Sequence, residues 1–261
     1  TWNAGTESYS FAFLPQPPAL DVSGSLANTT DAARVYWAGA VAYERLSGDA
    51  VVVWDNGTTA TAGLTYNVWN GTSWGSNTTI TTPVAGEPYQ MRLASRPGSD
   101  EMILVVSNSS GYDYALVWNG SAWGNSVTLD GASGGALTTV FVAYEQQSRD
   151  GMVVYGKSGT DNLFYRIWNG STWSAEAALD PGSAASNAPA WVSLTADPTS
   201  DRIAVGVVSV GSTWLKCVRT FPRRSKGSSG TSLRGKASPR RSRYHHSAPA
   251  MCLRIPAMLQ R

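Results

Sequence analysis

The chain has 261 residues, 20 Lys and Arg, 18 Asp and Glu, two His and two Cys, and a formal net charge of +2. That total hides a break: residues 1–215 set eight basic side chains against all 18 acids, a net −10, whereas residues 216–261 carry twelve basic side chains and no acid. No apolar run reaches the ~18–20 residues a bilayer demands, two cysteines make neither a disulfide scaffold nor a four-ligand zinc site, and both histidines lie beyond residue 215, which removes Ser-His-Asp and Cys-His chemistry from the front segment.

In chain order, the sequence opens on Thr1 without Met or an apolar leader and reads as mature, excised or a fragment. Trp2-Asn-Ala-Gly5 and Ser8-Tyr-Ser-Phe-Ala-Phe13 have the pattern of outer strands of a partial blade over residues 1–20. The connector Leu14-Pro-Gln-Pro-Pro18 follows as a break. A repeat then begins. Tyr66-Asn-Val-Trp-Asn-Gly-Thr-Ser-Trp74, Ala115-Leu-Val-Trp-Asn-Gly-Ser-Ala-Trp123 and Tyr165-Arg-Ile-Trp-Asn-Gly-Ser-Thr-Trp173 place their first Trp at steps of 49 and 50 residues. A second marker, Ser47-Gly-Asp49, Gly98-Ser-Asp100, Ser148-Arg-Asp150 and Thr199-Ser-Asp201, keeps the same beat. Two markers in phase at ~50 residues indicate propeller blades or a helical array.

Residue type decides between those. Val51-Val-Val-Trp54, Met102-Ile-Leu-Val-Val106, Met152-Val-Val-Tyr155 and Ile203-Ala-Val-Gly-Val-Val208 are short, β-branched and bounded by turn formers, as buried strands are. Asn-Gly between apolar stretches is a hairpin signal, because both residues tolerate positive φ. Each unit therefore holds about four strands, with a Thr/Ser-rich outer one such as Asn77-Thr-Thr-Ile80 or Ser126-Val-Thr-Leu129. The expectation is an all-β propeller with blades at 34–83, 88–131 and 138–181, a truncated blade at 189–215, and a disordered tail over 216–261. The leading strands either complete the broken fourth blade or belong to a slice of a larger ring.

The beat requires another Trp-Asn-Gly near residue 218, and the chain gives Val218-Arg-Thr-Phe-Pro-Arg-Arg-Ser225 instead. Four readings of the basic stretch stand: a nucleic-acid-binding arm, a solubilising disordered tail, a processed segment, and a frameshift. An Arg-, Ser- and Pro-rich stretch without acids favours the last. A nucleic-acid partner is not expected, since charge runs are usually solvated.

The candidate ligand residues are the paired tryptophans Trp69, Trp74, Trp118, Trp123, Trp168 and Trp173. Their faces suit stacking on sugar rings; equally, such pairs pin hairpin register from across the strands. Asp49, Asp100, Asp150 and Asp201, with Asn70, Gly71, Asn119, Gly120, Asn169 and Gly170, are expected as turn residues, the carboxylates accepting backbone N–H bonds at the same turn of each blade. Glu44 and Glu145 occupy matching places in Ala42-Tyr-Glu-Arg45 and Ala143-Tyr-Glu-Gln146, but no sequence feature makes them an opposed pair for glycoside hydrolysis. Asn28, Asn56, Asn70, Asn77, Asn108, Asn119 and Asn169 each begin an Asn-x-Ser/Thr sequon, which matters only along a eukaryotic secretory route. No catalytic, metal or cofactor set is assigned.

With Trp-Asn-Gly-x-x-Trp and the Ser/Thr-x-Asp marker, residues 1–215 resemble the tandem β-propeller repeats of large secreted or surface proteins of bacteria and archaea. The turn is also similar to the Asp-box of sialidases and related propellers, including lectins. That box continues Gly-x-x-Trp, where this chain reads Ser47-Gly-Asp-Ala-Val-Val-Val-Trp54, and no arginine triad with a Tyr/Glu pair is assignable. A ring with many aromatics, few charges and no histidine suits polar neutral ligands, so the expectation is a non-catalytic extracellular or cell-surface module whose partner is a glycan or a protein surface. A sialidase-like glycoside hydrolase and a purely structural segment of an adhesin are the alternatives.

Overall fold

The computed structural model describes residues 7–10, 25–29, 39–55, 63–131, 139–157, 160, 162–179, 189–209 and 215–218. Expectations resting on residues 2–5, 14–18 and 219–261 and on Asn56 lie outside these. The described residues form strands and turns with no helix. Three sheets are four-stranded antiparallel meanders. The first contains β3 (Gly39–Tyr43), β4 (Ala50–Asp55), β5 (Leu64–Trp69) and β6 (Thr78–Ile80). The second contains β7 (Pro88–Ser95), β8 (Glu101–Asn108), β9 (Asp113–Asn119) and β10 (Trp123–Asp130), and the third β11 (Phe141–Tyr144), β12 (Gly151–Gly156), β13 (Leu163–Trp168) and β14 (Ala177–Leu179). A fourth sheet has β15 (Pro189–Ala196), β16 (Ile203–Ser209) and β17 (Leu215–Val218). The leading strands β1 (Glu7–Ser10) and β2 (Ser25–Thr29) pair with one another as a separate sheet rather than with the fourth.

The first strand of each sheet lies beside the first strand of the next, β3 by β7, β7 by β11 and β11 by β15. The Ser95 hydroxyl donates to the Tyr43 carbonyl across the first of these junctions, at 2.6 Å. Sheets fanned in sequence from their first strands, and packed face to face, are propeller blades. The β-branched second strands are central because both of their faces are covered. On β4, Val51 and Val53 face the second blade and meet Met102, Leu104 and Val106. From the opposite face of β8, Ile103 and Val105 meet Val153 and Tyr155 of the third blade. Met152 and Val154 in turn meet Ile203, Val205 and Val207 of the fourth. Alternate side chains of one strand thus serve two interfaces, and each fully buried aliphatic contributes ~1.5–3 kcal/mol.

The fourth blade carries the composition break inside its third strand. In β17, Val218 pairs with Val205 and Lys216 with Val207. In the third blade, Arg166 pairs with Val153 and Trp168 with Gly151.

Candidate functional site

A four-stranded meander brings its first and third connections to one rim of the blade. The first connection is defined by one backbone hydrogen bond per blade: Glu44 N to Asp49 O, Arg96 N to Glu101 O, Glu145 N to Asp150 O and Asp197 N to Arg202 O, at 2.7, 2.8, 2.9 and 2.8 Å. A serine two residues before the acceptor closes each turn from within, Ser47 to Asp49 N, Ser99 to Glu101 N, Ser148 to Asp150 N and Ser200 to Arg202 N. These bonds hold the four aspartates in the same turn of each blade, though not at the same position in it. Asp49 and Asp150 end their turns, whereas Asp100 and Asp201 stand one residue earlier, so the common turn holds them at two different positions. The difference has a function in packing. Asp100 Oδ1 reaches the preceding blade and accepts from Leu46 N at 2.9 Å and Ser47 N at 2.8 Å. Asp201 Oδ1 does the same for Gln147 N and Ser148 N, at 2.8 and 2.7 Å. In the fourth turn, the Ser200 hydroxyl and then the Thr199 amide hold the Asp197 carboxyl down to about 2.

The third connection is the Trp-Asn-Gly hairpin, and here too the expected geometry changes. Trp69 pairs with Trp74 and Trp168 with Trp173 as isolated bridges, and Trp118 with Trp123 within the ladder, leaving four residues in each turn. Gly71, Gly120 and Gly170 have φ of 89°, 95° and 93°, while Asn70, Asn119 and Asn169 do not have positive φ. Asn70, Asn119 and Asn169 instead use Oδ1 to accept the amides two and three residues on, at 2.9–3.0 Å, an Asx-type closure. Of the other sequons, Asn77 accepts from Asn67, and buried Asn108 caps its own turn through Ser110 N and Tyr112 N.

The first tryptophan of each hairpin is buried: Trp69, Trp118 and Trp168 are 4%, 3% and 2% exposed. Their partners Trp74, Trp123 and Trp173 are half-buried and lie tilted against them, ring centroids 5.3–5.5 Å apart. Trp118 Nε1 donates to Glu44 Oε1 of the preceding blade at 2.5 Å, and the Ser47 hydroxyl donates to Glu44 Oε2. At the next interface Trp168 Nε1 donates to Glu101 Oε1 at 2.9 Å, which also accepts from Tyr144 OH at 3.0 Å. Burial first, and then the Glu101 charge, pushes the Tyr144 phenol up. The buried tryptophans therefore couple blades through an acid. Nothing in the local sequence marked Glu44 or Glu101 as those acceptors, although Glu44 shares its Tyr-Glu context with Glu145.

Between the first and second blades the rim opens into a cleft of about 300 Å³. Its walls include Glu44, Asp49 and Tyr66 from the first blade and Trp118, Gly120 and Ser121 from the second, with Ser76 and Thr78 at one side. Tyr66 stands edge-on to Trp118 with ring centroids 5.3 Å apart. The Asp49 carboxylate is half-buried and has no hydrogen-bond partner among the described residues. Trp123 Nε1 is likewise buried and unpartnered among the described residues. Its counterpart Trp173 Nε1 is bonded at 2.7 Å to the Asn125 carbonyl of the second blade. Among the described residues no group of three or more His, Cys, Asp or Glu is placed to hold a metal ion. Nor does any helix there have the length and apolarity to cross a membrane.

No family model matches this chain, and no curated protein does. Solved structures similar to it include a mutant of AofleA from Arthrobotrys oligospora, at 15% identity and TM-score 0.48, covering 80% of this chain and 67% of that one. A mutant Aleuria aurantia lectin in complex with Fucα1-6GlcNAc is 13% identical over 78% of this chain and 69% of that one, with a TM-score of 0.46. A fungal lectin described as a six-bladed β-propeller with a novel fucose recognition mode is 13% identical over 77% and 67%, also at 0.46.

Proposed function

We propose that this propeller is a non-catalytic carbohydrate-binding module acting outside the cell or at its surface, with a glycan ligand in the cleft between the first and second blades. The observation that carries the reading is a cleft of about 300 Å³ lined by both the Tyr66 ring and half-buried Asp49, whose carboxylate has no hydrogen-bond partner among the described residues. That volume stands at the low end of small-molecule sites, about 300–1,000 Å³, and suits one sugar ring rather than a long chain. Sugar rings present apolar C–H faces and a rim of hydroxyls, so an aromatic wall with a nearby carboxylate and hydroxyls meets both. Ser76, Thr78 and Ser121 supply the hydroxyls and Trp118 an apolar wall, its ring held by Glu44. Glu44 speaks against hydrolysis: both its oxygens accept hydrogen bonds from within the protein, so it is neither a free nucleophile nor a proton donor. Glycan-array binding with Asp49→Asn and Tyr66→Ala is the test. Each variant should keep its fold by circular dichroism and lose at least about tenfold in affinity, the equivalent of one good hydrogen bond or stacking contact. Wild-type affinity in both variants would overturn the reading.

A further inference from the structure

The first turn of each blade must satisfy the same backbone amide, and one of the four does not. Counted from the donor that opens the turn, the third residue is Leu46, Gly98, Gln147 or Thr199. Leu46 N donates to Asp100 and Gln147 N to Asp201, each a carboxylate of the following blade. The next amide, Ser47 N or Ser148 N, shares the same oxygen. Thr199 N donates to the Asp197 carboxylate of its own turn, at 2.9 Å. In the second blade, Gly98 N and Ser99 N have no acceptor among the described residues.

The cause is a reversal of charge. The third-blade residue in the place of Asp100 and Asp201 is Arg149. Its guanidinium stands 3.4 Å from where a Cβ on Gly98 would lie. Arginine has donors and no acceptor, so it cannot replace the missing carboxylate on two N–H groups. Two amides and a guanidinium therefore present only donors at one place on the rim, and the guanidinium has no partner among the described residues.

The backbone is shaped for an anion as well. Pro97 fixes its φ at about −65°, and Gly98 has φ of 62°. Successive amides around such a pair form an anion-binding concavity. The turn is already held: Ser99 Oγ accepts from Glu101 N at 3.1 Å, and the Ser99 carbonyl accepts from Arg45 N of the first blade at 3.2 Å. The neighbouring Asp100 carboxylate is turned away, onto the first blade. Gly98 and Arg149 are both exposed, so a ligand can reach them. Arg149 also has φ of 63°, at the position where the first blade uses Gly48, a left-handed backbone that disfavours a side chain.

We propose that the rim between the second and third blades is a carboxylate-binding site. The ligand's carboxylate accepts from Gly98 N, Ser99 N and the Arg149 guanidinium, in the place that Asp100 and Asp201 fill at the neighbouring interfaces. The ligand is a small monocarboxylate, free or carried on an acidic sugar. The site shares no residue with the cleft between the first and second blades and does not depend on the reading of that cleft.

The test is an amide-resolved NMR titration of the full chain at neutral pH and fixed ionic strength, with sodium acetate exchanged for sodium chloride. The Gly98 and Ser99 amide protons should move downfield and saturate. Arg149→Gln should weaken acetate by at least about tenfold, the equivalent of one charge-assisted hydrogen bond, with the remaining amides reporting an intact fold. Arg149→Asp restores the carboxylate of the other interfaces and should abolish the acetate response. Arg149→Gly relieves the same backbone conformation without supplying a carboxylate, and should keep a weakened response. Methyl β-glucuronide, with neutral methyl β-glucoside beside it, separates the sources: tighter binding than acetate assigns the site to an acidic sugar, and equal binding to the carboxylate alone. Shifts that never saturate, an affinity unchanged by Arg149→Gln, an acetate response retained in Arg149→Asp, or equal binding of the neutral glucoside would each overturn the proposal.

Discussion

At the scale of single residues, Asp113 shows how burial turns an ordinary acid into a liability of known sign. It is 3% exposed, pairs across the second blade with Asp130 and accepts from the Ser107 hydroxyl. Burial raises its carboxyl, the Ser107 hydrogen bond offsets part of that, and the Asp130 charge adds to it, leaving it at about 7 against 3.8 when exposed. Because the folded group holds its proton where the unfolded one has lost it, stability falls as pH climbs from about 4 to about 7 and stays at the lower level above. The cost should be on the order of 2–4 kcal/mol. Asp113→Asn, neutral and nearly isosteric, should match the wild type near pH 4 and exceed it increasingly up to pH 7. Denaturant melts across that range measure the difference, and a constant one would show that the carboxyl is not its source. The sequence conceals this site, as it does the acceptor roles of Glu44 and Glu101. An acid one residue from a turn reads as solvated, and only the packing of a neighbouring blade says otherwise.

At the scale of elements, the hairpins were legible in kind and not in mechanism. Trp-Asn-Gly-x-x-Trp coincides with the tight connection, where only glycine sits at φ near 90° without steric cost. Asn-Gly signals a hairpin because both residues tolerate positive φ, yet here only the glycine adopts it, the Asn side chain accepts from the turn amides, and the loop has four residues. Gly71 and Asn70 separate the two effects. A Cβ at Gly71 meets nothing within 4 Å, so Gly71→Ala should cost only the left-handed backbone, about 1–2 kcal/mol. Asn70→Ala deprives Thr72 N and Ser73 N of their acceptor and should cost about 1 kcal/mol, tempered by water at an exposed turn. Thermal denaturation of the two variants and of their combination measures both. If the turn is one unit, the pair should cost less than the sum, because a hairpin already frayed has less left to lose.

At the scale of the whole molecule, the ~50-residue beat marks the blades, while a difference between their first turns stays hidden behind it. The Ser/Thr-x-Asp marker made four turns look alike, and the adjacent acids Asp100 and Glu101 masked a one-residue shift that only the turn hydrogen bonds expose. Interfaces that differ in polar contacts still share apolar packing, and between the second and third blades Gly151 has no room for a side chain. A Cβ at Gly151 would meet Ile103 Cδ1 at 2.3 Å and Tyr144 Cε1 at 3.1 Å. Gly151→Ala should therefore destabilise by about 1–3 kcal/mol through overpacking. Ile103→Val removes the Cδ1 atom in the way and, alone, should cost about 0.5–1.5 kcal/mol for the lost burial. Together the two should be coupled: Ile103→Val in the Gly151→Ala background should cost nothing or restore stability, because the methyl added on one blade takes the place of the one deleted on the other. The double-mutant cycle, read by urea unfolding, should give a favourable interaction of about 1 kcal/mol or more. Strict additivity would mean that the blades are not in contact there and that the stack is held by its other residues alone.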